Sequence, residues 1–165
     1  MRLIVKNRMC DLVKFVGGEL LELEHVPLQK YSKEPMETIL VAQFFAAFYG
    51  FLAIVLGAFG AHALKKKFNS DQMASFETGV KYQMYHAIVL LVLSFNLGFN
   101  SIHEELIINC FVFGTLLFSF SIYGLCITGA SGKKWRFLGP ITPLGGLLLA
   151  VGWLLLLYHF IEDFL

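Results

Sequence analysis

This sequence predicts an all-α integral membrane protein: a four-transmembrane-helix antiparallel bundle with an N-terminal extension. Three observations carry that prediction. Of the 165 residues, 57% are hydrophobic and 15% charged, against about 45–50% and 25% in a soluble domain, and mean hydropathy is +0.68. The apolar excess is gathered into four blocks, each supplying the roughly 20 residues that cross about 30 Å of hydrocarbon at about 1.5 Å per residue. No block alternates polar and apolar residues as a barrel strand would, and the links are short, which sets sequence neighbours antiparallel.

Residues 1–35 form the extension and 36–165 the membrane domain. In the extension, Val5, Met9, Leu12, Val13 and Val16 share one helical face and Lys6, Arg8, Asp11 and Lys14 the other, as in an amphipathic helix lying in the membrane interface. A variable tail, or a segment upstream of a start at Met36, fits the same residues. The first span covers about 38–64 and ends in GAFGAHALKKK, residues 57–67. Ala61-His62-Ala63 has the outline of a signal-peptidase site. The apolar run before it exceeds the roughly 7–15 residues of a signal-peptide core, so it reads as a retained anchor. The second span covers about 79–99, with Ser70 and Asp71 marking a helix start ahead of the lipid. The third covers about 106–128 and the fourth about 140–161.

Basic residues orient the spans. Lys65, Lys66, Lys67 and Lys81 follow the first span, and Lys133, Lys134 and Arg136 follow the third; the second link and the C-terminal tail hold no lysine or arginine. The positive-inside rule then places loops 65–81 and 129–139 in the cytoplasm and both termini outside. Lys30 and Lys33 stand near the outer end of the first span, and Arg2, Lys6, Arg8 and Lys14 lie far from it.

Small residues mark helix contacts in lipid, because they let backbones approach closely. Ala46, Gly50, Ala53, Gly57 and Gly60 make one continuous stripe along the first span. The third span offers Cys110, Gly114, Ser121 and Thr128, and the fourth Gly146, Ala150 and Trp153. The simplest arrangement puts the first helix at the centre of the bundle; the alternative turns its stripe toward another subunit.

Two groups of polar residues are candidate sites. The second span opens with Lys81, Tyr82, Gln83 and His86, and ionisable groups in a membrane segment point to function by default. His86 shares a face with Tyr82 at i,i+4 and with Gln83 at i,i+3. His62 leaves the first span on the same side of the membrane. Three uses stay open for this cluster: hydrogen bonds within the bundle, a ligand or proton site, and a bis-histidine haem or metal site. The last lacks a third ligand at that depth. The second group stands at the entrance to the fourth span, where Thr142 suits an N-cap, Pro143 the first helical position, and Gly145 and Gly146 leave amides uncovered. Helix N-termini attract anions. Lys65, Lys66, Lys67, Lys133, Lys134 and Arg136 share that face, so a lipid headgroup could sit there; ordinary capping beside positive-inside lysines explains the same residues.

Cys10, Cys110 and Cys126 form neither a disulfide framework nor a metal-ligand spacing. A net charge of +1 gives no pull toward nucleic acid. No nucleophile elbow, zinc-protease motif or phosphate-binding loop occurs. GAFGAHALK, ETGVKYQMYHAIVLL, FSFSIYGLCITG and LGPITPLGGLLLAVGW occur in that order. Together they resemble the domain of unknown function 423 family of small four-helix membrane proteins, and the chain is similar to transmembrane protein 256 of animals. The resemblance runs from about Met36 to the C-terminus. It implies a protein of the bacterial inner (plasma) membrane and places His62, Tyr82, Gln83, His86, Pro140, Thr142, Pro143 and Gly145 in the family's signature blocks without giving them roles.

The function expected is a non-enzymatic accessory or scaffolding subunit. Its expected partners are membrane lipids, other membrane proteins or a second copy, and no cofactor or metal is expected. A small transporter or proton relay through the His/Lys/Gln cluster is the alternative, followed by haem or quinone binding.

Overall fold

A computed structural model describes residues 34–133 and 135–162. The interfacial helix expected in the extension, on residues 5–16, and Lys134 lie outside the described residues. The chain forms α1 (Glu34–Phe59), which runs on through a π-helical turn (Gly60–Leu64), then α2 (Ser70–Asn96), α3 (Ile102–Ala130), a 3₁₀ turn (Arg136–Leu138) and α4 (Ile141–Glu162). No strand occurs among the described residues.

Local chemistry sets the helix starts. At α2, Asn69 Oδ1 accepts from Gln72 N at 2.8 Å while Gln72 Oε1 accepts from Asn69 N at 3.0 Å, a reciprocal capping box that satisfies two helix-end donors. Ser101 and Glu104 make the same motif at α3. Three segments, Met36–Leu64, Ile102–Ala130 and Arg136–Glu162, are long and apolar enough to cross a membrane. α2 has the length but is more polar, with Asp71, Glu77, Lys81, Gln83 and His86 along it. It crosses with the others because it packs lengthwise between α1 and α3. Its 27 residues span about 40 Å, some 10 Å more than the hydrocarbon, so one end stands in the headgroup layer.

The small stripe of α1 faces α2. Ala46, Ala53 and Gly60 are buried and Gly50 and Gly57 half-buried. A Cβ added at Gly50 would lie 3.9 Å from Ala87, at Gly57 3.5 Å from Val80, and at Gly60 3.0 Å from the Phe76 ring. Helix one is nevertheless not central, as the sequence suggested. Phe44, Phe51, Ile54 and Phe59 on its far side are exposed, and the backbone of α4 does not come close to it. The hub is α3, with 12 buried residues, because it alone packs along both α2 and α4. Its seam with α4 is the tightest: Gly145 lies against the Phe118 backbone, Gly114 against Leu149, and Gly152 against Phe111 and Cys110. The buried line of α4 is therefore Gly145, Leu149, Gly152 and Leu156. Ala150 and Trp153 are exposed and Gly146 half-buried.

At the end opposite the basic links, the α2–α3 connection wraps a carboxylate. Gly98 N, Asn100 N and Ser101 N donate to the Glu104 oxygens at 3.0, 2.7 and 3.1 Å. Phe99, buried between these donors, takes φ +53°, a left-handed conformation rare for a bulky residue. His159 Nε2 of α4 lies 3.9 Å from the same carboxylate. A Glu104→Ala variant should lose about 1–2 kcal/mol of stability in detergent, the cost of a helix cap whose donors are left open. An unchanged unfolding midpoint would show that the loop does not depend on it.

Candidate functional site

Gln83 is the polar centre of the bundle. It is wholly buried, its Nε2 donates to Tyr49 O at 2.9 Å, and its Oε1 accepts from Tyr123 Oη at 2.8 Å. Tyr49 Oη donates to Val112 O at 2.9 Å, and Ser119 Oγ to Gly79 O at 2.9 Å. One α2 amide thus ties α1 to α3, with each partner buried. Tyr49, Ser119 and Tyr123 escaped the sequence reading. Their cue was the polar content of AAFYGF and FSFSIYG inside apolar blocks, where a hydroxyl must find a partner.

The remaining members of the expected cluster separate. His86 is also buried. Its Nδ1 lies 2.8 Å from Tyr82 O, while its ring faces Tyr82, Phe111 and Trp153 at centroid distances of 6.2, 5.7 and 6.5 Å. With Nδ1 as the donor to that carbonyl, Nε2 is an acceptor; it is buried without a hydrogen-bond partner among the described residues. Lys81 stays on the surface and pairs with Glu77 at 3.7 Å. His62 is exposed in the π-helical turn.

The expected meeting of His62 and His86 is not formed, and the register explains why. Gly50 sits by Ala87, Gly57 by Val80 and Gly60 by Phe76, which places His62 level with about residue 75. His86 is then some 11 residues, about 16 Å, further along α2. Because α2 starts at Ser70, His86 lies deep in the bundle rather than in the opening turns of a span.

The expected anion site at the start of α4 also differs. The helix begins at Ile141, so Thr142 lies inside its first turn and Pro143 is not its first residue. Thr142 Oγ1 lies 2.7 Å from Ser121 Oγ on α3 and donates to Leu138 O, so it ties helices together instead of capping an amide. Gly145 is buried with its Cα face pressed on α3, so it offers no open cradle. Lys65, Lys66, Lys67, Lys133 and Arg136 are exposed, and no ion pair among the described residues engages them. No three of His, Cys, Asp and Glu gather to hold a metal ion among the described residues.

The family model described as "Protein of unknown function (DUF423)" matches residues 56–146. A UPF0382 membrane protein of Staphylococcus epidermidis is 41% identical over 105 residues, covering 64% of this chain and 82% of the relative. The UPF0382 inner membrane protein YgdD of Escherichia coli is 37% identical over 114 residues, 68% of this chain and 83% of the relative. A UPF0382 membrane protein of Schizosaccharomyces pombe is 36% identical over 111 residues, 66% and 91%. No solved structure matches the chain significantly.

Proposed function

The chain belongs to the DUF423 family of membrane proteins, and from that premise we propose a non-enzymatic accessory or scaffolding subunit that retains lipid or a partner membrane protein. The observation that carries this reading is the Gln83 centre, whose polar groups are spent on one another. Such a core, with its hydrogen bonds satisfied internally, holds three helices at fixed spacing. The exposed lysines of the α1–α2 and α3–α4 links fit a cytoplasmic face, with both termini outside, in an inner or plasma membrane. Purification in mild detergent followed by mass spectrometry of the intact particle tests the proposal. Retained phospholipid or a stoichiometric second protein is expected, and a bare monomer would overturn it.

One observation favours a second reading, a proton or ligand site. The acceptor Nε2 of His86 is enclosed by aromatic rings with no partner, and buried acceptors normally have one. A folded His86→Phe variant separates the readings. Loss of a bound chromophore, quinone or pH response would favour the second, and unchanged lipid and partner retention the first.

A further inference from the structure

We propose that the cleft between α2 and the start of α4, floored by α3, holds a zwitterionic phospholipid headgroup: a phosphodiester bearing a primary ammonium. The inference rests on the lipid-retaining reading above and gives it a place and a chemistry. α4 approaches α3 closely along its backbone and α2 nowhere so closely. α2 and α4 meet deeper in the bundle at the His86–Trp153 rings, and toward the start of α4 they leave a cleft of about 730 Å³. That is the size of a small-molecule site. Asp71, Ser75 and Thr78 line one wall from a single face of α2, Thr142 stands on α4, and Ile122 and Leu125 make the floor.

Depth argues for a headgroup. The excess of α2 over the hydrocarbon thickness is about seven residues. With Lys65–Lys67 exposed just before α2, that excess falls at its N-terminal end, where Asp71 and Ser75 stand, with Thr78 one turn further in. A cleft at this level, with the polar side chains of Asp71, Ser75 and Thr78 on its α2 wall, meets headgroups. The floor becomes aromatic further along α3. Phe118 packs on Tyr82 at 5.1 Å, and Tyr82 and Trp153 are 44% and 49% exposed, a surface suited to an acyl chain leaving the cleft.

Charge selects the headgroup. Asp71 lies in the lining and enters no ion pair among the described residues. Ser75 Oγ likewise makes no hydrogen bond among them. Cations flank the cleft along the chain: Lys67 comes two residues before Asn69, and Lys133 directly after Gly132, both of which also line it. A carboxylate within and ammonium groups at the edge match a ligand carrying both charges. A purely anionic headgroup would face Asp71 unpaired, and a cationic one would face the lysines.

The test is retention from bilayers of defined phosphatidylethanolamine and phosphatidylglycerol content, read by mass spectrometry of the purified full chain. The wild-type protein should be enriched in phosphatidylethanolamine over the bulk by about fivefold, the factor one charge is worth at a membrane surface. Ser75→Trp, which fills the cleft from an exposed position, should abolish the enrichment with the unfolding midpoint unchanged. Asp71→Asn should remove the preference between the two lipids and keep total lipid. Equal enrichment in wild type and Ser75→Trp, or wild-type enrichment in phosphatidylglycerol, would overturn the site while leaving the parent reading standing. Wild-type protein free of both lipid and partner would overturn the parent reading. Water-soluble glycerophosphoethanolamine distinguishes the source: competition with retained lipid supports the headgroup site, whereas saturable binding with no lipid retained would overturn the lipid assignment.

Discussion

Gly145→Ala should be the most damaging single-methyl change in the described chain, lowering stability by about 3 kcal/mol or more. The added Cβ would stand 2.3 Å from Phe118 N and 2.8 Å from Leu117 C and Phe118 Cα. All three are backbone atoms of α3, so no rotamer change makes room and the two helices must move apart. Gly114 against Leu149 and Gly152 against Phe111 lie on the same seam, so separation at Gly145 loosens contacts along the whole interface. Overpacking of a dense interior ordinarily costs about 1–3 kcal/mol, and more where the neighbours cannot yield. Gly146→Ala is the matched control. Its Cβ would meet the Phe118 ring at 3.7 Å, an ordinary contact, and alanine in a helix is favoured over glycine by up to about 1 kcal/mol. It should unfold at or slightly above the wild-type midpoint in a denaturing-detergent titration. Equal midpoints for the two variants would mean that α3 and α4 do not pack as described.

That pair of glycines also shows what a sequence of this kind reveals and conceals. Four blocks of membrane length are legible because hydrocarbon imposes a length on any span. The stripe from Ala46 to Gly60 is legible because small residues recur on one face. The identity of the partner helix is not. In lipid both faces of a helix are apolar, so periodicity does not say which face turns inward, and the first helix was misplaced at the centre. The same difficulty drew attention to Gly146 and Ala150 while Gly145 and Gly152 make the seam. His62 and His86 were brought together by membrane side alone. Depth depends on where α2 starts, and the capping box at Asn69 starts it nine residues before the apolar block at 79. Thr142 was read as a cap because no sequence pattern could pair it with Ser121, 21 residues away. Glu104 was legible in principle, since Ser101-x-x-Glu104 is a capping-box spacing.

Gln83→Leu should be the second most damaging change, at about 2–3 kcal/mol, although leucine fills nearly the same volume. The substitution takes the Gln83 acceptor from the buried Tyr123 Oη, which keeps only the neighbouring Ser119 hydroxyl, itself donating to Gly79 O, and removes the extra donor to Tyr49 O. A buried hydroxyl that loses its acceptor costs about 1–3 kcal/mol. The Tyr49 carbonyl loses less, because it belongs to the backbone of α1 and a carbonyl has two lone pairs. Tyr123→Phe should cost about 1 kcal/mol by leaving Gln83 Oε1 unpaired. The double variant replaces both partners by apolar groups and should therefore be more stable than the sum of the singles implies. The coupling should fall at about 0.6–1.7 kcal/mol, the average and upper bound found for hydrogen bonds between membrane helices. A conduit lined by Gln83 predicts something else. Water would satisfy the Tyr123 hydroxyl, both single variants would be near neutral, and the cycle would close with no coupling. Unfolding midpoints of the four proteins in one detergent thus decide whether the centre of the bundle is a dry tie between helices or a wet path through them.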